Sequence, residues 1–131
     1  MLHPKQFKPN DAWIFFRLNE APIHAGRNGE FNLFALMDAA SCFILGTELI
    51  PAVAPQLTRS EFNRLLADAR RHTEKLPETL FISESQGATL VTRAATSRGV
   101  NVVRIAESEL FVFIGEAREG FAEYLKEQGG A

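Results

Sequence analysis

Residues 28–50 read NGEFNLFALMDAASCFILGTELI, and this stretch says more about the fold than any other. Asn28-Gly29 is a strong hairpin signal, because both residues tolerate a positive φ. Residues 31–37 are nearly all apolar, which is typical of a strand buried on both faces. After a short polar turn, residues 42–50 read as another strand, and Glu48 near its end indicates an edge partly open to water. The stretch therefore predicts two strands of an antiparallel meander.

The sequence on both sides of this stretch extends the pattern. Upstream, WIFFRL (13–18) predicts the first strand of the meander. Residues 1–11 are polar and contain prolines, which predicts a loosely ordered lead-in. Downstream, Thr58 and Glu61 have the spacing of a capping box, and they predict a helix that ends at Leu76-Pro77.

The second half of the chain alternates between strands and helices. It contains a predicted strand at 79–83, a helix at 87–98 closed by Gly99, a strand at 101–106 and a helical segment at 108–128. Glycines at 115 and 120 leave open whether the last segment is one helix or two. The order β-β-β-α-β-α-β-α predicts a single α/β domain over residues 12–128. Its simplest packing is a mixed five-stranded sheet with helices on both faces.

Composition narrows the class of protein. A length of 131 residues with 46% hydrophobic and 23% charged residues is typical of one globular domain. The formal net charge of −2 disfavours nucleic acid as a partner, because proteins that bind a phosphate backbone are usually basic. The single Cys42, the polar start and the lack of a long apolar run predict a cytoplasmic protein without a membrane partner.

Three segments resemble the catalytic cores of integrases and transposases, which belong to the ribonuclease-H-like superfamily. LFALMDAASCFILGTEL (33–49) is similar to the second and third strands of those cores. ISESQGATL (82–90) is similar to the end of their fourth strand, and AREGFAEYLKE (117–127) to their last helix. The resemblance covers roughly residues 12–127 and implies a ribonuclease-H-like sheet in the strand order 3-2-1-4-5. It also implies phosphoryl transfer by carboxylates that converge on two Mg²⁺ ions.

The carboxylates that such chemistry requires are incomplete in this sequence. The resemblance places the first acid in the first strand, where the chain has Phe16 and Arg17. A cation at this position repels the metal ion that an acid would bind. The remaining candidate catalytic residues are Asp38, Glu84, Glu116 and Glu119, and any metal would bind at Asp38 and Glu84. A turn explains Asp38 more simply, and a charged helix face explains Glu116 and Glu119 more simply. A solvated loop explains Glu84 at least as simply as a functional site does.

Other reactive residues give weaker patterns. Ser83, Ser85 and Gln86 are candidate ligand-binding residues, because open α/β sheets bind ligands beyond the carboxyl ends of their strands. The histidines are scattered and lack metal-ligand spacing. Cys42 lies in a predicted strand without a neighbouring base, which disfavours a nucleophile.

Three functional hypotheses remain open. The first is a non-catalytic ribonuclease-H-like module that needs no cofactor and binds a protein partner or itself. It would use the edge of the third strand or the apolar run FVFI (111–114). The alternative is a divergent Mg²⁺-dependent nuclease or strand-transfer core that uses Asp38, Glu84 and a glutamate of the last helix. The third is a small-molecule site near residues 83–87. The missing first acid favours the non-catalytic hypothesis, so we expect no enzymatic activity.

Overall fold

A computed structural model describes residues 1–128 of the chain. The strands are β1 (Ala12–Arg17), β2 (Ile23–His24), β3 (Glu30–Asp38), β4 (Ile44–Pro51), β5 (Thr79–Ser83) and β6 (Asn101–Ile105). The α-helices are α1 (Arg59–Ala69), α2 (Thr89–Ser97) and α3 (Phe111–Glu127). Short 3-10 helices lie at Pro4–Gln6, Gly26–Asn28 and Glu107–Leu110.

All six strands belong to one mixed sheet. β3 pairs antiparallel with β4 on one edge, and with β1 and the short β2 on the other edge. β1 pairs in parallel with β5, and β5 pairs in parallel with β6. The five long strands therefore lie side by side as β4-β3-β1-β5-β6.

The predicted α/β fold, a mixed sheet with helices on both faces, is confirmed with one more strand than expected, and it is consistent with a ribonuclease-H-like arrangement. The Asn28-Gly29 turn connects β2 to β3, whereas the sequence reasoning took it as the turn between the first two long strands. Gly29 has the positive φ of 89° that this turn requires. A strand of two residues is too short to show a hydrophobic period, so the sequence could not reveal β2.

β1 lies between two hydrophobic cores. Trp13 and Phe15 point into the core that α1 and α2 cover, and Ile14 and Phe16 point into the core that α3 covers. The alternation follows from the two-residue period of a strand. In the first core, the ring of Phe15 stacks on Phe34 at 5.3 Å between centroids.

The helix after β4 begins as predicted and ends earlier. Thr58 and Glu61 form a capping box, in which the Thr58 hydroxyl accepts from the Glu61 amide and the Glu61 carboxylate accepts from the Thr58 amide. α1 ends at Ala69, although the sequence predicted a helix that reaches Leu76. The chain turns after Ala69, and the Arg70 guanidinium donates to the Glu74 carbonyl oxygen across this turn.

α3 is one continuous helix, so Gly115 and Gly120 do not divide it. The run 111–114 is split between two environments: Phe111 and Val112 are exposed, whereas Phe113 and Ile114 are buried against the sheet. Within residues 1–128, the helices are too short or too polar to cross a membrane.

The lead-in over residues 1–11 makes more contacts than its composition predicts. The Phe7 ring lies 5.7 Å from that of Phe81 and 6.2 Å from that of Phe113, measured between centroids. Leu2 also packs against the core under α3. Phe7 and Phe81 are partly buried and Phe113 is buried. These contacts offset part of the conformational entropy that the lead-in loses when it is ordered.

Gly46 allows α1 to lie close to β4, and its replacement tests this packing. A Cβ at Gly46 would lie 2.9 Å from the Cβ of Asp68, which is closer than real contacts allow. We expect Gly46→Ala to lower the free energy of unfolding by about 1–3 kcal/mol, as overpacking usually does. Chemical denaturation would measure the change.

The matched control is Gly115→Ala in α3, where an added Cβ meets nothing within 4 Å. This substitution should raise the free energy of unfolding by roughly 0.5–1 kcal/mol, because alanine is the better helix former. Equal effects of the two substitutions would contradict the close approach of α1 to β4.

Candidate functional site

The carboxyl ends of β1 and β5 lie side by side, because the two strands are parallel neighbours. A polar crevice of about 310 Å³ opens at this edge of the sheet. Its lining comes from the turn after β1, the loop after β5, the 3-10 helix before α3 and α3 itself. The lining residues are Arg17, Glu20, Ser85, Gln86, Glu107 and Arg118.

Arg118 reaches from α3 to the end of β1. Its Nε and Nη2 donate to the carbonyl oxygen of Arg17 at 3.1 and 2.9 Å. Nη2 also lies 3.3 Å from a carboxylate oxygen of Glu107. The Arg118 side chain is only 13% exposed, so these bonds form where water competes little. A guanidinium group is thus fixed beside the last carbonyl of the central strand.

Arg17 folds back over the turn that follows β1. Its Nε donates to the carbonyl oxygen of Asn19 at 2.8 Å, and its Nη2 to that of Glu20 at 3.3 Å. The buried Asn19 side chain holds the turn in place, because its amide oxygen accepts from the Leu33 amide at 2.7 Å. The two guanidinium groups of the crevice are therefore both bound to backbone atoms.

The loop after β5 forms the other side of the crevice. Nη2 of Arg104, on β6, donates to the carbonyl oxygens of Ser83, Glu84 and Gln86. The hydroxyl oxygens of Ser83 and Ser85 lie 2.8 Å apart, and the Ser85 amide donates to Ser83 Oγ. These bonds tie the loop to β6 and to itself.

The candidate ligand-binding residues fall on or under this crevice. Ser85 and Gln86 line it, and Ser83 is buried beneath and supports Ser85. Glu84 is exposed and does not line the crevice. Its backbone amide donates to the Ile105 carbonyl oxygen at 2.7 Å, which continues the pairing of β5 with β6.

Asp38 lies at the opposite end of the sheet from the crevice. It is paired with Trp13, and Trp13 precedes Arg17 by four residues on β1. A strand rises about 3.3 Å per residue, so roughly 13 Å separates the two ends. Asp38 and Glu84 therefore do not converge, so the structure does not bring together the two residues at which any metal would bind.

The Asp38 carboxylate has structural partners instead. One oxygen accepts from the Asn10 amide at 2.8 Å, and the other accepts from the Ser41 amide at 3.0 Å and the Ser41 hydroxyl at 2.7 Å. Asn10 in turn accepts from Trp13 Nε1 at 2.7 Å and donates to the Lys75 carbonyl oxygen at 2.8 Å. This cluster joins the lead-in, β1, β3 and the connection after α1.

The two glutamates of α3 that were candidate metal ligands, Glu116 and Glu119, are exposed. Within residues 1–128, no group of three or more His, Cys, Asp or Glu side chains is placed to hold a metal ion. Cys42 lies in the turn before β4 and not inside the strand, with a φ of 61°. Burial raises the pKa of its thiol, and the negative charges of Glu116 and Asp38 add to this effect, so the thiolate nucleophile is disfavoured.

Neither Arg118 nor Arg104 was predicted from the sequence as a candidate. Arg118 follows Ala117, which packs against the core. A position next to the buried stripe of a helix lies at its border, where a long side chain reaches inward. Nothing in the sequence indicated that this side chain would bind the carbonyl of Arg17, which is 101 positions away.

Comparison with known proteins adds a likeness of fold. No protein-family model matches the chain, and no curated protein gives a significant match. One similar solved structure is a chain of the simian T-cell lymphotropic virus intasome in complex with the PP2A regulatory subunit B56 gamma. It aligns with a TM-score of 0.60 at 15% sequence identity. The alignment covers 94% of this chain and 44% of that one, so this chain spans less than half of its length. The likeness is one of fold alone.

A substitution at Asp38 separates a structural role from a metal-binding role. Asp38→Ala would leave the Asn10 and Ser41 amides without their buried acceptor. We expect the free energy of unfolding to fall by about 2–3 kcal/mol, measured by urea denaturation without added metal.

The control is Glu119→Ala, on the exposed face of α3, which should change stability by less than about 0.5 kcal/mol. Unchanged or increased stability of Asp38→Ala would contradict the structural role. That result would instead indicate that the Asp38 carboxylate serves to bind a ligand.

Proposed function

We propose that the chain is a non-catalytic, degenerate member of the ribonuclease-H-like superfamily, of the integrase and transposase type, that acts by binding protein. In this proposal it works in the cytoplasm, and its partner is a second copy of the chain or another protein. The observation that carries the non-catalytic part of the proposal is the hydrogen bonding of the Arg118 guanidinium to the carbonyl oxygen of Arg17.

The charge at the end of β1 supports the absence of two-metal chemistry. Phosphoryl transfer with two Mg²⁺ ions needs several carboxylates within reach of both ions. Here Phe16 is buried in a hydrophobic core, and two guanidinium groups stand beside the end of the strand. A cation fixed in this position opposes a divalent ion by direct repulsion. The alternative set of Asp38, Glu84 and Glu116 or Glu119 gains no support, because Asp38 lies at the other end of the sheet.

An apolar surface on the α3 side of the sheet supports protein binding. We call it the β3–β4 surface, and it comprises Phe31 and Leu33 of β3 with Leu49 of β4 and Ile23 of β2. Leu49 pairs with Leu33, and Ile23 pairs with Phe31, so each pair shares a face of the sheet. Leu49 is 51% exposed, and the other three are only partly buried. Apolar side chains grouped in this way are typical of interfaces.

The free edge of β4 adjoins the β3–β4 surface. Within the described part of the chain, β4 pairs with β3 alone, so its outer backbone groups are open to another strand. Strand addition at this edge would also cover Leu49. The exposed pair Phe111 and Val112 forms a second apolar site, at the start of α3, and it is smaller.

The behaviour of the chain with divalent metal tests the non-catalytic part of the proposal. We expect millimolar Mg²⁺ or Mn²⁺ to leave the melting temperature unchanged, because a ligand stabilises a fold only by binding to it. Differential scanning fluorimetry with Ca²⁺ as a matched divalent control would measure this. A saturable rise specific to Mg²⁺ or Mn²⁺ would contradict the proposal and revive the nuclease alternative.

Sedimentation velocity tests self-association through the β3–β4 surface. We expect the chain to form dimers or larger species at micromolar concentrations. Leu49→Lys should weaken them by about tenfold or more, because it buries a charge in an apolar contact. Phe111→Lys is the matched control, since Phe111 is 53% exposed and lies away from the surface.

Two results would contradict this assignment. A chain that stays monomeric over the whole concentration range does not self-associate. Dissociation by Phe111→Lys together with an unaffected Leu49→Lys variant would move the interface to the start of α3.

A further inference from the structure

We propose that the crevice at the ends of β1 and β5 binds a small zwitterion, which carries a carboxylate or phosphate group together with an amino group. The lining of this crevice shares no residue with the β3–β4 surface, although Glu20 and Arg118 also border a neighbouring pocket that contains Ile23. Its chemistry follows from the donors that remain free, from the arrangement of charge and from the shape of the crevice.

The two guanidinium groups keep donors available for an anion. Arg17 and Arg118 each donate hydrogen bonds through Nε and Nη2. Within residues 1–128, Nη1 of each guanidinium makes no hydrogen bond. Among the described residues, the buried side-chain atoms without a hydrogen-bond partner are Asn63 Oδ1 and Thr92 Oγ1. Both Nη1 atoms lack a partner and are not among these buried atoms, so both are accessible to solvent. Guanidinium groups are well suited to bind carboxylate or phosphate oxygens.

The charges of the crevice favour a zwitterion over a simple anion. Glu107 is paired with Arg118, whereas neither Arg17 nor Glu20 has an ion-pair partner within the described chain. One positive and one negative charge therefore remain for the ligand. An oxyanion bound to Arg17 with an amino group near Glu20 satisfies both, and the Ser85 hydroxyl and Gln86 amide add neutral hydrogen bonds.

The size and lining of the crevice limit the ligand. About 310 Å³ is at the lower end of the range of small-molecule sites, and the lining is almost entirely polar. None of its six lining residues is aromatic, so it offers no ring on which a nucleic-acid base could stack. The bonds that hold Arg17, Arg118 and the loop after β5 already order the site, which reduces the entropy lost on binding.

Amide and arginine Nε chemical shifts of the full chain would test the site directly. The probes are glycine and phosphoethanolamine, which are zwitterions, and acetate and inorganic phosphate, which lack the amino group. Titration at constant ionic strength should give saturable shifts at Ser85, Gln86 and Arg118 with the zwitterions. Acetate and phosphate should bind about tenfold more weakly, because they leave Glu20 without a partner.

Substitutions identify the residues responsible. Arg17→Gln should weaken binding of both zwitterions by about tenfold. Glu20→Gln alters an exposed side chain, and it should remove the preference for zwitterions over acetate and phosphate. Arg93→Gln, on the exposed side of α2, is the matched control and should bind as the unaltered chain does.

Three outcomes would overturn the proposal. One is the lack of a saturable shift with either zwitterion. Another is equal binding of acetate or phosphate, which would leave an anion site without the amino group. The third is tighter binding of a short single-stranded oligonucleotide at the same residues. Sedimentation velocity measures self-association without any of these ligands, so this test and that of the interface can fail separately.

Discussion

The burial of β1 on both faces and along both edges is the constraint on which the other elements depend. Residues 12–16 are each at most 3% exposed, and alternate side chains enter different cores. A strand this deep must pair all its backbone groups, which β3 does on one edge and β5 on the other. Both faces then need a cover: α1 and α2 supply one, and α3 supplies the other.

Much of this arrangement could be predicted from the sequence, because its causes are local. The hydrophobic period of each segment, the Thr58 capping box and the glycine after α2 all gave elements that the structure confirms. The predictions from sequence were wrong where the structure is not determined by neighbouring residues. The residues after Ala69 continue a helical pattern, yet they form a turn whose bonds involve Arg70 and Thr73 side chains. The sequence predicts a loosely ordered lead-in because its anchors, Phe7 and Asn10, contact partners far along the chain, which local patterns do not show.

The candidate site was less predictable, because it depends on which strand ends meet. Asp38 ends β3 and Glu84 follows β5, but β3 runs antiparallel to β1 and β5 runs parallel to it. Residues after such strands fall at opposite ends of the sheet. The observation that an acid stands at the end of a strand does not reveal at which end of the sheet it lies. The direction of each strand in the sheet is needed for that. Phe16 and Arg17 were the better guide, since they indicated that the end of β1 is basic and not acidic.

Arg104 links the crevice to the margin of the sheet. A single nitrogen of its guanidinium donates to the carbonyl oxygens of Ser83, Glu84 and Gln86. The two hydrogens on this nitrogen serve all three oxygens, so the Arg104 side chain and the loop after β5 are tied to each other. Because Arg104 belongs to β6, a displacement of that strand would also displace the side of the crevice that Ser85 and Gln86 form. The shape of the crevice therefore depends on a peripheral strand that contributes no residue to its lining.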